Sequence, residues 1–199
     1  TDIATINKWP KDYEYATLMT HDTEPTIFSY KKGLRILLNK LNQHQLKSTI
    51  NLVGNYVKYI SPEDLEEMKL HDIGCHELYH DRKFLQLSNY ERKERLETAK
   101  FIIERAFERE INYFRAPTLQ RPANLFELLE EKEYKYDSSI IDSQREQPYC
   151  GKGNSFYLPF YPIIRNKKSK ILELTTTAPD CISPYFFGYS MEETLELFR

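Results

Sequence analysis

The stretch His71-Asp72-Ile73-Gly74-Cys75-His76-Glu77-Leu78-Tyr79-His80 joins a short predicted strand to two histidines, and it decides the fold. The strand covers residues 71–74 and ends in a polar loop. His76 and His80 are four positions apart, so both imidazoles can face one metal ion on a helical turn or a tight loop. In folds built on parallel strands, functional residues collect at the carboxyl ends of the strands. If the strand belongs to a parallel sheet, the stretch places a candidate metal-binding loop at the carboxyl edge of that sheet.

Strand-like and helix-like segments alternate on both sides of this stretch. Apolar or β-rich runs predict strands over 15–20, 48–53, 71–74, 111–115, 134–140 and 170–174. Apolar residues at helical spacing or capping signals predict helices over 27–41, after Ser61, after Ser88, around 125–129 and after Ser190. This alternation predicts right-handed βαβ crossovers and an α/β fold with a mainly parallel sheet or barrel. We expect one domain that spans residues 1–199.

The composition excludes two classes of partner. The chain has 199 residues with 40% hydrophobic and 29% charged residues, which is ordinary for a globular domain with its own core. Its formal net charge is -2, so no broad basic surface and no nucleic-acid partner are expected. No apolar run approaches the roughly 20 residues of a membrane span, so no transmembrane segment is expected.

The cysteines indicate a reducing compartment. Cys75, Cys150 and Cys181 are the only cysteines, and no pair has C-x-x-C spacing. An odd, sparse count argues against a disulfide framework. Together with the lack of a signal peptide at the start of this sequence, this slightly favours a cytoplasmic location, and a cell-surface location stays open.

Three polar clusters lie after predicted strands that are far apart in sequence. They are Thr20-His21-Asp22-Thr23-Glu24, the stretch His76 to His80, and Phe114-Arg115-Ala116-Pro117. A barrel or open sheet would bring them to one rim. Two imidazoles and a carboxylate leave an open position for water, which is the arrangement of a catalytic zinc. The metal would lower the pKa of its water, a carboxylate would remove the proton, and an arginine could hold that carboxylate.

Asp22 and Glu24 share one face of an extended strand, so one can bind metal while the other acts as base. The residues themselves do not divide these two roles. His21 should point to the opposite face, and we expect it to be structural. We also expect His71 to be structural and His44 to be solvated at a helix end.

The histidine stretch has a second interpretation. Read literally, His76 to His80 is H-E-x-x-H, the zinc metalloprotease motif, with Glu77 as general base. That motif normally lies inside a long amphipathic helix. Here a strand-like segment with Gly74 comes directly before it, and Asp81-Arg82-Lys83 comes directly after. This context favours a base supplied by a distant carboxylate.

These residues, in this order, resemble the polysaccharide deacetylase family, also called the NodB-homology domain or carbohydrate esterase family 4. The resemblance covers residues 15–174. The segment 18–24 is similar to the first motif, in the branch whose two carboxylates are separated by one residue. The segments 71–80 and 114–117 resemble the second and third motifs. Leu128-Leu129 and then Tyr134-Lys135-Tyr136-Asp137-Ser138-Ser139 are typical of the family's sequence after its third motif.

The resemblance implies a distorted (β/α) barrel and metal-dependent removal of N-acetyl groups from an amino sugar or polysaccharide. It implies Asp22 as catalytic base and Arg115 as its partner. Glu24, His76 and His80 would bind one divalent metal. Zinc suits these ligands best, and cobalt, nickel, manganese or iron would also fit.

Several departures leave alternatives open. The usual metal carboxylate of the family is aspartate, so Asp22 could be the ligand instead of Glu24. The third motif usually continues with glycine, where Thr118 stands here. Relatives act on small amides, so a non-glycan substrate is an alternative.

The family's late general-acid histidine has no counterpart after His80. It could lie beyond Arg199, because an apolar helix face starts at Leu195 and the barrel could be incomplete at its C-terminal end. Without it, Asp22 would return its own proton, or the domain would be a catalytically degenerate glycan-binding module. Aromatic residues at 149, 156, 157, 161 and 185 are candidates for a substrate groove.

Overall fold

A single parallel sheet organises the molecule. The computed structural model describes residues 16–141, 146–147, 151–152, 158–176, 190 and 192–193. The strands of the sheet are β1 (Thr20–Asp22), β2 (Thr49–Leu52), β3 (Asp72–Cys75), β4 (Tyr113–Phe114), β5 (Tyr136–Asp137) and β10 (Leu172–Glu173). They lie side by side in chain order, and every neighbouring pair is parallel. This confirms the predicted α/β class with parallel strands.

Two short antiparallel hairpins lie outside the main sheet. They pair β6 (Glu146–Gln147) with β7 (Gly151–Lys152), and β8 (Ile163–Ile164) with β9 (Lys167–Lys168). The second hairpin turns through Arg165 and Asn166, which both have positive φ, as a tight two-residue turn requires.

Helices connect the parallel strands. They are α1 (Leu34–Gln43), α2 (Pro62–Met68), α3 (Asn89–Phe107) and α4 (Leu125–Glu131). A π-helical segment (Ser29–Gly33) leads into α1, and 3₁₀ segments cover Gly54–Tyr59 and Pro117–Leu119. Within the described residues no helix is long and apolar enough to cross a membrane.

The predicted capping signals start two of these helices. The Ser61 side chain accepts the Asp64 N–H at the start of α2, where Pro62 occupies the first helical position. At the start of α3, Ser88 and Glu91 form a reciprocal capping box. Such a cap stabilises a helix by about 1 kcal/mol and fixes where it begins.

The core lies between the sheet and the helices. Every residue of β2 is buried. The helical spacing of Leu96, Ala99, Ile103 and Ala106 predicts one apolar face on α3, and the first three of these residues are buried while Ala106 is partly buried. Each fully buried large apolar side chain contributes roughly 1.5–3 kcal/mol. This packing holds the short strands in place, so that their carboxyl ends share one edge.

The first predicted strand is wrong in position. Residues 16–19 have no regular structure, with Leu18 51% and Met19 36% exposed, and Tyr15 lies outside the described residues. The parallel pairing with β2 begins only at Thr20. Apolar residues in a row predict a buried strand only where a neighbour covers them, and β1 is at the edge of the sheet, paired with β2.

Candidate active site

Asp22 lies at the carboxyl edge as the last residue of β1. The parallel register sets it opposite Asn51 of β2, and Asn51 Nδ2 donates a hydrogen bond to Asp22 Oδ1 at 2.7 Å. Arg115 Nη1 donates to the same oxygen at 3.1 Å. The other oxygen, Oδ2, lies 3.8 Å from His76 Nε2, and the side chain keeps 32% of its surface exposed. One carboxylate oxygen is thus held by protein donors while the other faces the histidine.

The surroundings of Asp22 favour its ionised form. Burial opposes ionisation, but the interactions with His76 and Arg115 and the hydrogen bonds from Asn51 and Arg115 outweigh it. The pKa of Asp22 therefore lies below its ordinary value. A carboxylate in this state can accept a proton or bind a cation.

Arg115 is held on three sides and braces Asp22. Its Nε donates to the Ser138 carbonyl at 3.1 Å and to Ser138 Oγ at 2.8 Å. Its Nη2 donates to Thr176 Oγ1 at 3.2 Å. Burial opposes the charge of the guanidinium, yet Asp22 and Tyr113 raise the pKa of Arg115, so the positive charge is kept. The structure brings Arg115 and Asp22 together as expected, and their catalytic roles stay predictions.

His76 is buried, and its side chain is a neutral imidazole. Its Nδ1 lies 2.8 Å from the Arg115 carbonyl oxygen, which can only accept, so Nδ1 carries the proton. Burial, opposed by Asp22, lowers the pKa of His76 to about 4. The lone pair of Nε2 is then free to face Asp22. A backbone carbonyl that fixes the tautomer in this way is typical of histidines that bind metal.

His80 lies in a strained loop and not in a helix. Its ring centroid lies 4.8 Å from that of His76. Both Glu77 (φ 65°) and His80 (φ 54°) adopt the left-handed region, which costs non-glycine residues energy and is concentrated at functional loops.

Glu77 stabilises this loop from inside. Its side chain is fully buried, and Oε2 accepts the backbone N–H groups of Tyr79 at 2.8 Å and His80 at 2.9 Å. Arg95 of α3 reaches Glu77 Oε1 at 3.4 Å and also pairs with Asp81 at 3.1 Å. A glutamate whose carboxylate is bonded into its own loop is not placed as a metalloprotease base. The geometry therefore argues against the literal H-E-x-x-H interpretation.

Glu24 is exposed, and its backbone N–H donates to Ser29 Oγ at 3.2 Å. Among the residues that the structure describes, no three His, Cys, Asp or Glu side chains are gathered closely enough to hold a metal ion. The ligand role of Glu24 stays a prediction. The chemistry of His76, His80 and Asp22, two imidazoles beside a carboxylate, nevertheless fits a divalent metal.

The other histidines take the places expected for them. His21 Nδ1 is 2.7 Å from Ser48 Oγ, away from Asp22. His71 is buried just before β3, at the opposite end of the strand from His76. His44 is exposed and ends α1.

Three further residues complete the site and are not among the residues predicted from the sequence. Asn51, Ser138 and Thr176 hold Asp22 and Arg115 through side-chain hydrogen bonds. Asn51 carries a signal in the sequence, because an amide in the middle of a fully buried strand needs a hydrogen-bond partner. Ser138 lies in the stretch 134–139 that is typical of the family, which gives it a signal but no role. Thr176 carries no signal, since threonine is common in loops.

Two backbone positions shape the site. A Cβ on Gly74 would overlap Asn51 Oδ1 and come within 2.6 Å of Tyr113 Cδ1, so only glycine allows Asn51 to lie across β3. Thr118, which stands where the family usually has glycine, adopts φ 50° and ψ 25°. The left-handed backbone explains why glycine suits that position.

A curled parallel sheet with two imidazoles beside an arginine-braced carboxylate at its carboxyl edge is the arrangement of a hydrolase of the (β/α) barrel type. The model of the polysaccharide deacetylase family matches residues 13–136, more than half of the chain. The protein belongs to this family, whose enzymes hydrolyse the amide carbon–nitrogen bonds of N-acetyl groups.

Solved structures support the fold. A Mycobacterium smegmatis protein described as a polysaccharide deacetylase has a TM-score of 0.72 at 18% identity, covering 100% of this chain and 74% of that chain. The family 4 carbohydrate esterase from Streptomyces lividans, solved with acetate, has a TM-score of 0.52 at 20% identity, covering 61% and 60%. A BA3943 mutant, described as a family pseudoenzyme with restored activity, has a TM-score of 0.51 at 17% identity, covering 91% and 62%.

These likenesses establish the fold, a half-barrel of the NodB type, as the resemblance implied. This chain spans less than two thirds of the length of the last two proteins. No curated protein sequence matches it.

Proposed function

We propose that this protein is a metal-dependent deacetylase that removes N-acetyl groups from an amino sugar or polysaccharide, with Asp22 as general base. The observation that carries the proposal is the bracing of Asp22. Asn51 and Arg115 hold Oδ1, and Oδ2 is left facing His76 Nε2. A carboxylate that is oriented through one oxygen and free at the other is suited to remove a proton from water.

His76 and His80 would hold the metal together with one carboxylate. The family pattern favours Glu24 as this third ligand, whereas the position of Asp22 Oδ2 on the side of His76 Nε2, 3.8 Å away, favours Asp22. When bound, the metal would polarise the amide carbonyl and lower the pKa of a coordinated water. Zinc fits these donors best, and cobalt, nickel, manganese and iron remain compatible.

The residues of this chain supply the remaining steps. Asp22 takes the proton of the attacking water, and Arg115 keeps the carboxylate oriented and ionised beforehand. No histidine lies between His80 and Arg199. Among the residues of this sequence, the Asp22 carboxyl is therefore the group suited to return the proton to the leaving amine, and a histidine beyond Arg199 is the alternative donor. In this proposal Asp22 acts first as base and then as acid.

A second candidate is a glycan-binding domain without turnover. It is favoured by the absence of a histidine between His80 and Arg199. It predicts saturable glycan binding and no acetate release with metal supplied. A small non-glycan amide is the alternative to a glycan substrate. A panel that contains both N-acetylated sugars and small non-glycan amides distinguishes these two substrate classes.

Metal content is the first test. Elemental analysis of protein reconstituted with zinc or cobalt should find about one ion per chain, and His76→Ala and His80→Ala should each lose it. Acetate release from N-acetylated sugars should depend on that ion. No bound ion after reconstitution would contradict the metal site, while bound ion without acetate release would support the binding domain or another amide substrate.

Two isosteric variants divide the carboxylate roles. If Asp22 is the base and Glu24 the ligand, Asp22→Asn keeps the ion and loses turnover, whereas Glu24→Gln weakens metal binding. If Asp22 is the ligand, Asp22→Asn loses the ion as well. Near-normal turnover by Asp22→Asn would overturn the proposed mechanism.

A further inference from the structure

Two carboxyl groups are fully buried behind Arg115. Asp137 ends β5 and Glu173 ends β10, and the two residues are direct partners in the parallel register. Both side chains are 0% exposed. Two adjacent carboxylates cannot both keep a negative charge in such a place, because burial and mutual repulsion oppose it.

The hydrogen bonds show which member of the pair holds a proton. Asp137 is supplied with donors on both oxygens, since Ser139 Oγ donates to Oδ1 at 2.7 Å and the Ser139 N–H reaches Oδ2 at 3.3 Å. Glu173 Oε1 accepts the Ile140 N–H at 2.8 Å. Glu173 Oε2 is buried and has no donor among the described residues. A proton on Oε2 resolves this, because the oxygen then donates to Asp137.

The pair fixes the loop that holds Arg115. Residues 138–140 are bonded to Asp137 and Glu173 through Ser139 and Ile140. Ser138 of the same loop accepts both hydrogen bonds of Arg115 Nε. Thr176, three residues after Glu173, donates its N–H to the Ile140 carbonyl at 2.8 Å and accepts from Arg115 Nη2. The contacts of Arg115 with Ser138 and Thr176 are therefore anchored on the carboxyl pair.

We propose that Glu173 carries a proton, donates a hydrogen bond to Asp137, and thereby positions Arg115 for its contact with Asp22. The catalytic consequence rests on the proposed function, whereas the shared proton and the position of Arg115 do not. Glu173 touches no reacting atom, so it is a positioning residue.

The electrostatic surroundings agree with this assignment. Burial and the neighbouring charge of Asp137 raise the pKa of Glu173 well above its ordinary value, and burial also raises the pKa of Asp137. The charged groups that act on the pair are Arg115 for Asp137 and Arg121 for Glu173. Tyr113, bonded to Ser138, is kept neutral because burial raises its pKa to about 12. The pair then holds one proton and one negative charge at neutral pH.

Infrared spectroscopy tests the proton directly. At neutral pH the wild-type protein should show the carbonyl stretch of a buried protonated carboxyl group, and Glu173→Gln should lack it. Glu97→Gln is the matched control, because Glu97 is an exposed partner of Lys132 and its loss should leave the band unchanged. Absence of the band from the wild type would overturn the assignment.

The position of Arg115 is tested by nitrogen NMR and kinetics together. Glutamine reproduces both hydrogen bonds of protonated glutamate, so the Arg115 Nε resonance should stay in place in Glu173→Gln and move in Glu173→Leu. Turnover should fall by roughly tenfold to a hundredfold in Glu173→Leu, with KM little changed, and should be largely restored by glutamine. An unmoved resonance in Glu173→Leu would overturn the positioning role.

A shorter carboxyl at position 173 provides a second variant. If Glu173→Leu does not fold, Glu173→Asp replaces it, because this variant withdraws the carboxyl group by one methylene. The Arg115 Nε resonance should then shift in Glu173→Asp. An unmoved resonance in that variant counts against the proposal. If the wild type releases no acetate, the proposed function fails while the infrared band and the Arg115 resonance still decide this inference. Wild-type turnover should also decline at alkaline pH as the pair loses its proton, and Glu173→Gln should lack that decline.

Discussion

At the residue scale, Asp22 is the side chain on which most contacts of the site converge. Asn51 and Arg115 bind one of its oxygens, and the second oxygen faces a neutral His76. Its reactivity therefore depends on groups from three other strands and loops. The direction of its pKa shift is set by those groups, because burial alone would have raised the pKa.

Asn51→Ala removes one of the two donors and tests this dependence. A hydrogen bond to a charged group is worth about 1.5–3 kcal/mol, so we expect kcat/KM to fall by roughly tenfold to a hundredfold. The pKa of Asp22 should rise, and the acid limb of the pH–rate profile should move to higher pH. Asn42→Ala on the outer part of α1 is the control. An unshifted acid limb would mean that Asn51 does not act through Asp22.

Thr118 tests a backbone property. A β-branched residue in the left-handed region costs about 1–2 kcal/mol. Glycine removes that cost, and the gain is partly offset because glycine increases the conformational entropy of the unfolded chain. We expect Thr118→Gly to raise the free energy of unfolding by about 0.5–1 kcal/mol, measured by chemical denaturation. Thr118→Ala keeps a Cβ and should not reproduce the gain. A loss of stability in the glycine variant would mean that the Thr118 hydroxyl bond to Pro117 dominates.

At the scale of single elements, the loop 76–82 is a separately supported unit. Arg95 of α3 pairs with Glu77 and Asp81, and its guanidinium lies 4.8 Å from the centroid of the Tyr79 ring. A helix from the core thus fixes the loop that carries both candidate metal-binding histidines. Its left-handed residues are maintained by these contacts and by the buried Glu77 carboxylate.

Glu77→Gln distinguishes this support from catalysis. The amide oxygen can still accept the N–H groups of Tyr79 and His80, which share one oxygen of Glu77. The ion pair with Arg95 is lost, so we expect a loss of about 1–2 kcal/mol in the free energy of unfolding and weaker metal binding. With metal at saturation, kcat should stay within about threefold of wild type. Arg95→Ala should give the same pattern. A complete loss of turnover at saturating metal would instead support the H-E-x-x-H interpretation, in which Glu77 is the general base.

The sequence was informative for elements with a strong local signal. The Ser88 and Glu91 capping box and the apolar stripe of α3 predicted that helix correctly. The first strand was placed too early, because local apolar content cannot show which residues a neighbouring strand covers. The loop conformation of residues 76–80 was left open between a turn and a helix, and Glu77 decides it through bonds to the loop backbone.

At the scale of the whole molecule, the parallel topology brings together residues that are distant in the chain. The motif residues Asp22, His76 and Arg115 could be predicted to meet, because all three lie at the carboxyl ends of strands of one sheet. The contribution of β10 could not, since Glu173 reads as one polar residue in a short strand-like run. Glu173 meets Asp137 only through the register of β10 with β5, and this register is defined only in the folded sheet.

This register makes the stability of the whole fold depend on pH. A carboxyl whose pKa is raised on folding binds its proton in the folded state and releases it in the unfolded state once the pH exceeds about 4.5. The folded state then holds one proton more, so the free energy of unfolding should fall by about 1.4 kcal/mol per pH unit from there up to the folded pKa of Glu173.

Glu173→Gln cannot titrate, so it should lack this part of the slope. We expect the difference in unfolding free energy between wild type and Glu173→Gln to change in favour of the variant as the pH rises above about 5. Urea denaturation at a series of pH values measures it without reference to any activity. Asp22 has a lowered pKa, so its contribution to the free energy of unfolding is present above about pH 4 and is lost in more acid solution. This contribution is the same in both proteins, so it cancels from the difference between them. Parallel curves for the two proteins above about pH 5 would show that Glu173 is ionised in the folded state, and that the sheet tolerates two buried charges side by side.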